Sequence, residues 1–176
     1  TIYRVTPNGD PVAIATADNG VDEVLNPADI DGDGTVELPF VDGSQAVRYV
    51  EPGDDTTGTF TKVPDAGAGS NNNIGAGNPA DIDDDGTAEI PIVDGSNQLL
   101  VVDADGVERT LVTGSDDREV AKTPAAIHDI DRDGSLEIVY GEVADSETKL
   151  SYVDDLNGDS SFKVVRNEDG VWITID

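Results

Sequence analysis

The sequence predicts an all-β fold, a β-propeller of four-stranded blades, about four in number, with no significant helix. Three observations predict it. A stretch recurs: residues 26–44 read NPADIDGDGTVELPFVDGS and residues 78–96 read NPADIDDDGTAEIPIVDGS, identical at fifteen of nineteen positions. A third copy, PAAIHDIDRDGSLEIVYG, starts at Pro124, and alignment on Asp29, Asp81 and Asp129 gives spacings of 52 and 48 residues. Repeats of this length that carry four short strands are the mark of propeller blades. Second, short apolar runs with period-two alternation are separated by Asn-Gly or Asp-Gly pairs, the signature of hairpins. Third, apolar residues nowhere recur at helical spacing over a sustained stretch.

Each element follows in order. Residues 1–16 read as a hairpin, Ile2–Val5 and Val12–Ala15 around Asn8-Gly9. Residues 17–65 form a blade: an LNPADI strand entering an Asp-rich loop, then ELPFV, Ala46–Val50 and Thr59–Val63. Residues 66–116 repeat it, with Gln98–Val102, the turn Asp105-Gly106 and Val107–Val112. Residues 117–166 repeat it again, with Lys149–Val153, the turn Asn157-Gly158 and Phe162–Val165. Residues 167–176 hold a closing strand, Val171–Ile175, which would share a fourth blade with the N-terminal hairpin and hide its edges. The small Ala28 and Ala80 suit a crowded axis, and Pro39 and Pro91 imply a local bulge beside the loop. The Gly/Asn-rich stretch Pro64–Asn78 reads as a blade-to-blade connection. A four-bladed monomer is expected. A fragment of a larger ring, or two chains completing each other, is the alternative.

The strongest chemical signal is D-x-D-x-D-G-x-x-E, present at Asp29–Glu37, Asp81–Glu89 and Asp129–Glu137. Calcium is a hard cation that takes six to eight oxygens. Asp29, Asp31 and Asp33, with Asp81, Asp83 and Asp85 and with Asp129, Asp131 and Asp133, can point inward from a curled loop. Thr35, Thr87 and Ser135 would offer backbone carbonyls, and Glu37, Glu89 and Glu137 would close the sites. Gly34, Gly86 and Gly134 permit the left-handed turn that such a loop needs. Without a cation the carboxylates would repel, so three calcium ions are expected as cofactors. An EF-hand needs its acidic ligand at position 12, which here is Phe40, Ile92 and Tyr140. Magnesium, which favours rigid octahedral sites, fits less well. The stretch from Asp155 to Asp159 lacks Gly at the sixth place and Glu at the ninth, and reads as a plain turn.

These residues, matching over 26–41, 78–93 and 124–141, resemble the FG-GAP/VCBS repeats of integrin-α-like β-propellers. The resemblance implies a calcium loop joining the first two strands of each blade, with the Asp, Thr or Ser, and Glu positions above as ligands. The Phe-Gly and Gly-Ala-Pro signature is present only in fragments such as Gly75-Ala76-Gly77-Asn78-Pro79. Members of that family serve as adhesins, surface receptors and parts of secreted polysaccharide-processing enzymes.

Composition narrows the function further. With 38 acidic and 10 basic residues, 28 of the acidic ones Asp, the net charge is −28. That opposes nucleic-acid binding, which wants a basic footprint. There is no cysteine, so disulfides and zinc-thiolate sites are excluded. No apolar run approaches the ~18 residues of a membrane span, and no leader-like segment precedes Thr1, as in a mature product or an excised fragment. Three calcium ions would still leave a net charge of −22. Abundant Asp, scarce Lys and small apolar residues suggest a halophile, where salt screens surface charge within about 3 Å at 1 M. The only histidine, His128, precedes Asp129; with Arg132 or Arg118 and a carboxylate it could form an enzyme pocket. Packing is the more ordinary role for it, as it is for Tyr49, Tyr140, Tyr152 and Trp172, which could otherwise line a glycan platform. Asp54-Asp55, Asp116-Asp117 and Asp154-Asp155 read as solvated turns, and Ser44 and Ser96 as turn chemistry. No phosphate loop, dinucleotide fingerprint or nucleophile elbow is present. The expectation is a non-catalytic, calcium-stabilised extracellular or cell-surface module for binding or adhesion, with a protein or glycan partner. The alternatives are a propeller domain of a secreted polysaccharide-processing enzyme, or a structural repeat segment of a larger surface protein.

Overall fold

A computed structural model describes residues 1–17, 19–51, 61–62, 75–106, 109–113, 118–120, 126–130, 132, 134–144, 147–154 and 163–166. Among them it is all-β, with no helix, in several small antiparallel sheets. Strands β1 (Ile2–Val5) and β2 (Pro11–Ala15) form a two-stranded hairpin. Its turn closes through Gly9, whose φ is 88° and whose N–H donates to the Thr6 carbonyl at 2.8 Å.

The first sheet orders β3 (Val21–Val24), β4 (Leu38–Asp42), β5 (Val47–Val50) and β6 (Thr61–Lys62) as neighbours in sequence. The second repeats this with β7 (Gly75–Ala76), β8 (Ile90–Val93), β9 (Leu99–Val102) and β10 (Arg109–Val112). The third contains β11 (Arg118–Val120), β12 (Ala126–His128), β13 (Glu137–Ala144), β14 (Glu147–Asp154) and β15 (Lys163–Arg166), with β11 and β12 both pairing β13. The expected unit of about fifty residues and four short strands is thus present in the first two sheets. The third splits its entry strand in two. The turn at Asn157-Gly158, the closing strand Val171–Ile175, the pairs Asp54-Asp55 and Asp116-Asp117, Trp172 and most of the Pro64–Asn78 connection lie outside the described residues. Asp154, expected in a turn, instead ends β14 opposite Lys163.

The sheets stack in chain order because alternate residues of a strand point to opposite faces. Phe40 and Val50 pack against Ile2, Ile14 and Ala17 from the hairpin side. Val41, Val47 and Tyr49, on the other face, meet Ile90, Ile92, Leu100 and Val102 of the second sheet. Val93, Leu99 and Val101 then meet Ile138, Tyr140 and Val153 of the third. β8 and β9 are buried on both faces, which is why they read as unbroken apolar runs. Each such side chain contributes about 1.5–3 kcal/mol of transfer free energy. Tyr49 and Tyr140 belong to these cores, so neither lines a surface platform.

Two sequence expectations need correction. LNPADI is not a strand: β3 ends at Val24, and Ala28 makes only an isolated bridge to Glu37, as Ala80 does to Glu89. The prolines also sit without a bulge, since Pro39 pairs with Tyr49 and Pro91 with Val101 in continuous register. The N and carbonyl of a strand residue face the same neighbour. The Pro39 carbonyl accepts from Leu25 N–H at 3.0 Å, and that of Pro91 from Gly77 at 2.8 Å. Leu25 and Gly77 lie just past the ends of β3 and β7, so the missing proline N–H falls where the ladder has already stopped.

The VDGS segments at the ends of β4 and β8 lead into Asp-anchored turns. The Asp42 carboxylate accepts from Ser44 N–H at 2.9 Å, Ala46 N–H at 3.1 Å, the Ser44 hydroxyl and the Arg48 guanidinium. Burial pushes its pKa up, but these donors prevail and hold it at about 2. Asp94 accepts in the same way from Ser96 N–H at 2.8 Å and Gln98 N–H at 2.9 Å.

Candidate metal centre

The Asp-rich loops connect the isolated bridges to β4 and β8, and their own carboxylates shape them. In the first loop Asp29 accepts from Gly32 N–H at 2.8 Å and Gly34 N–H at 3.0 Å, and Asp33 from Thr35 N–H at 2.7 Å. The second repeats the pattern, with Gly86 N–H on Asp81 at 3.1 Å and Thr87 N–H on Asp85 at 2.8 Å. Gly34, Gly86 and Gly134 have φ of 86°, 96° and 101°, the left-handed turn expected of them. A second left-handed position, unmarked by any shared residue type, is Gly32, Asp84 and Arg132 with φ of 73°, 57° and 65°.

Curling brings the acidic side chains together. Carboxylate oxygens of Asp29, Asp31 and Asp33 lie within 4.8 Å of one another, as do those of Asp81, Asp83 and Asp85, so each triplet could hold a metal ion. Glu37 and Glu89 are 1% and 7% exposed. Each is pinned from below, Glu37 Oε2 by Ile30 N–H at 2.7 Å and Glu89 Oε2 by Ile82 N–H at 2.7 Å. Thr35 and Thr87 are half-buried at the loop exit. In the third loop Glu137 accepts from Ile130 N–H at 2.5 Å and Asp129 from Gly134 N–H at 3.3 Å. Ser135 is half-buried there, while Asp131 and Asp133 lie outside the described residues.

The electrostatics are those of crowded anions. Burial first, then the charges of Asp83, Asp85 and Asp81, push Glu89 up to about 7. Glu37 is raised by burial and by Asp31, Asp29 and Asp33. Asp83 rises through burial and Asp85, against the opposing Arg109, whereas the Thr87 hydroxyl and N–H hold Asp85 below the usual range. Asp81 Oδ1 and Asp83 Oδ1 are buried oxygens without a hydrogen-bond partner. An acceptor left so is costly unless something positive meets it. The donor set is all oxygen, which suits a hard divalent ion.

Beside the second loop lies a cavity of about 50 Å³, lined by Ile82, Asp83, Asp85, Glu89, Val101, Asp103 and Arg109. Sequence reasoning missed Asp103 and Arg109; both sit outside the repeat motif, and only the pairing of β9 with β10 brings them in. His128 is exposed, paired in register with Glu137, and is not among the cavity residues. No helix among the described residues is long and apolar enough to cross a membrane. No family model, no curated protein and no solved structure matches the chain.

Proposed function

We propose that this protein is a calcium-stabilised, non-catalytic binding or scaffold module of the outer cell surface or extracellular space, built as a β-propeller. The reading rests above all on the paired triplets: three aspartates converge in each of two loops, and their charges act on a buried glutamate of the same loop. Calcium is the hard cation whose flexible coordination by carboxylates such loops fit best, in line with the resemblance to FG-GAP/VCBS repeats. The sheets stacked in chain order, the first between the hairpin and the second and the second between the first and the third, support a propeller arrangement. Calcium at each site would offset half the charge of the four carboxylates and lock its loop to the following strand. A protein or glycan ligand on one face of the array is the expected partner.

A melt at fixed ionic strength tests this. An ion that binds only the native state adds RT ln(1 + [L]/Kd), about 2.7 kcal/mol per site at a hundredfold excess. Calcium should therefore raise the melting temperature and a chelator should lower it; an identical melting temperature with calcium and with chelator would refute structural calcium. The net charge of −28 further supports a halophilic source. At saturating calcium, stability should fall as salt drops from molar to about 0.1 M, and indifference to salt would count against that origin.

A further inference from the structure

The repeats share their loops but not the residue that overlooks them. Tyr49, Val101 and Tyr152 are equivalent, each lying one strand from Pro39, Pro91 and Val139, and their partners on the next strand are Thr61, Arg109 and Val165. Only the second sheet places a cation there. Its guanidinium approaches Asp83 to 3.6 Å and lines the same cavity as Asp85, Asp103 and Glu89. Asp83 is 18% exposed while the Arg109 side chain is 44% exposed, so only the carboxylate end of the pair is partly withdrawn from solvent screening. The second loop also carries one more carboxylate than the first, Asp84 in place of Gly32.

We infer that Arg109 is a resident counter-cation of the second loop, which sets its divalent affinity below what its carboxylates alone would give and holds its shape when no ion is bound. The inference builds on the calcium reading above and distinguishes one loop from another within it. A positive charge beside the cluster repels an incoming divalent ion and relieves the mutual repulsion of the aspartates in its absence. In the first sheet the matching register place is Thr61, which carries no charge. Arg109 acts through Asp83 and is a positioning and affinity-setting residue, not a ligand.

Calcium titration of isotopically labelled protein, followed at the Gly34 and Gly86 amides, reads the two loops separately, since these donate to Asp29 and Asp81. Replacing Arg109 by Thr, the first sheet's residue, or by Gln, closer in size, should lower the calcium midpoint at Gly86 by about fivefold to tenfold. The Gly34 midpoint should move less than about twofold, because the guanidinium pairs with Asp83 of the second loop. Arg109→Lys, which keeps the charge, should retain most of the wild-type midpoint. In chelator, the Gly86 amide should exchange faster in Arg109→Thr and Arg109→Gln than in the wild type. An unchanged Gly86 midpoint and exchange rate in both folded variants overturns the inference while leaving calcium binding intact. Silence of both glycines to calcium in the wild type would overturn the calcium reading and this inference with it.

Discussion

Glu89 offers the sharpest test of the loop electrostatics, because removing its charge should help the ion-free protein and harm the ion-bound one. Glu89 is 7% exposed, and burial with the charges of Asp83, Asp85 and Asp81 raises its pKa to about 7 from an ordinary 4.5. A group raised in the folded state contributes stability that is present below pH 4.5 and is lost as pH rises through about 7. Each tenfold change in proton affinity corresponds to about 1.4 kcal/mol, so ionising Glu89 in the ion-free native state costs on the order of 3 kcal/mol by pH 8. Glu89→Gln keeps the oxygen that accepts from Ile82 and removes the charge. In chelator at pH 8 the variant should be more stable than the wild type by roughly 2–3 kcal/mol, or about 4–12 °C in melting temperature for a chain of this size. At pH 5 the gap should shrink toward zero, since Glu89 is then already protonated. In calcium at pH 8 the order should reverse if Glu89 closes the proposed calcium site, because the variant then lacks a charged ligand. Urea unfolding in chelator and in calcium, at both pH values, measures all four quantities. A variant less stable than the wild type in chelator at pH 8, or a difference independent of pH, would refute the reasoning.

Other outcomes follow from the same structure. A Cβ on Gly43 would collide with the Asn19 carbonyl oxygen, so Gly43→Ala should cost about 3 kcal/mol or more by displacing backbone. Gly34 has open space around it and only its φ of 86° to defend, so Gly34→Ala should cost about 1 kcal/mol; denaturant melts of the two variants check the ranking. Asp42→Ala strips a buried acceptor from Ser44, Ala46 and Arg48 and should cost about 2–4 kcal/mol at neutral pH. With Asp42 lowered from 3.8 to about 2, its contribution is present above pH 3.8 and disappears as pH falls through about 2, so the two proteins should converge in acid melts across that window.

Much of this was legible in the residues. The hairpin β1–β2 and strands β4, β5, β8, β9 and β14 were marked by alternating or continuous apolar runs between Gly-containing turns, signals that local chemistry writes directly. The loops were legible too, because carboxylate spacing and a glycine at the left-handed turn are themselves sequence features. The third copy's entry strand was legible, since β12 lies where PAAIHDI places it, but those of the first two sheets were not. Val21–Val24 precedes the repeated LNPADI and Gly75–Ala76 is too short and small to show a period, so pairing with β4 and β8 alone defines them. The tolerance of Pro39 and Pro91 depended on where the neighbouring strand stops, which no residue at the proline announces. Arg109 was hidden because its reach to Asp83 spans 26 positions in sequence and depends on the β9–β10 register.

Calcium can stabilise this fold only if the acidic loops hold a divalent ion. A crystal grown in calcium, with anomalous scattering recorded, tests this most directly. It should show a peak between Asp29, Asp31, Asp33 and Glu37 and another between Asp81, Asp83, Asp85 and Glu89, each with six to eight oxygens at about 2.3–2.6 Å. Loops with their carboxylates turned to solvent and no anomalous peak between them at millimolar calcium would contradict it.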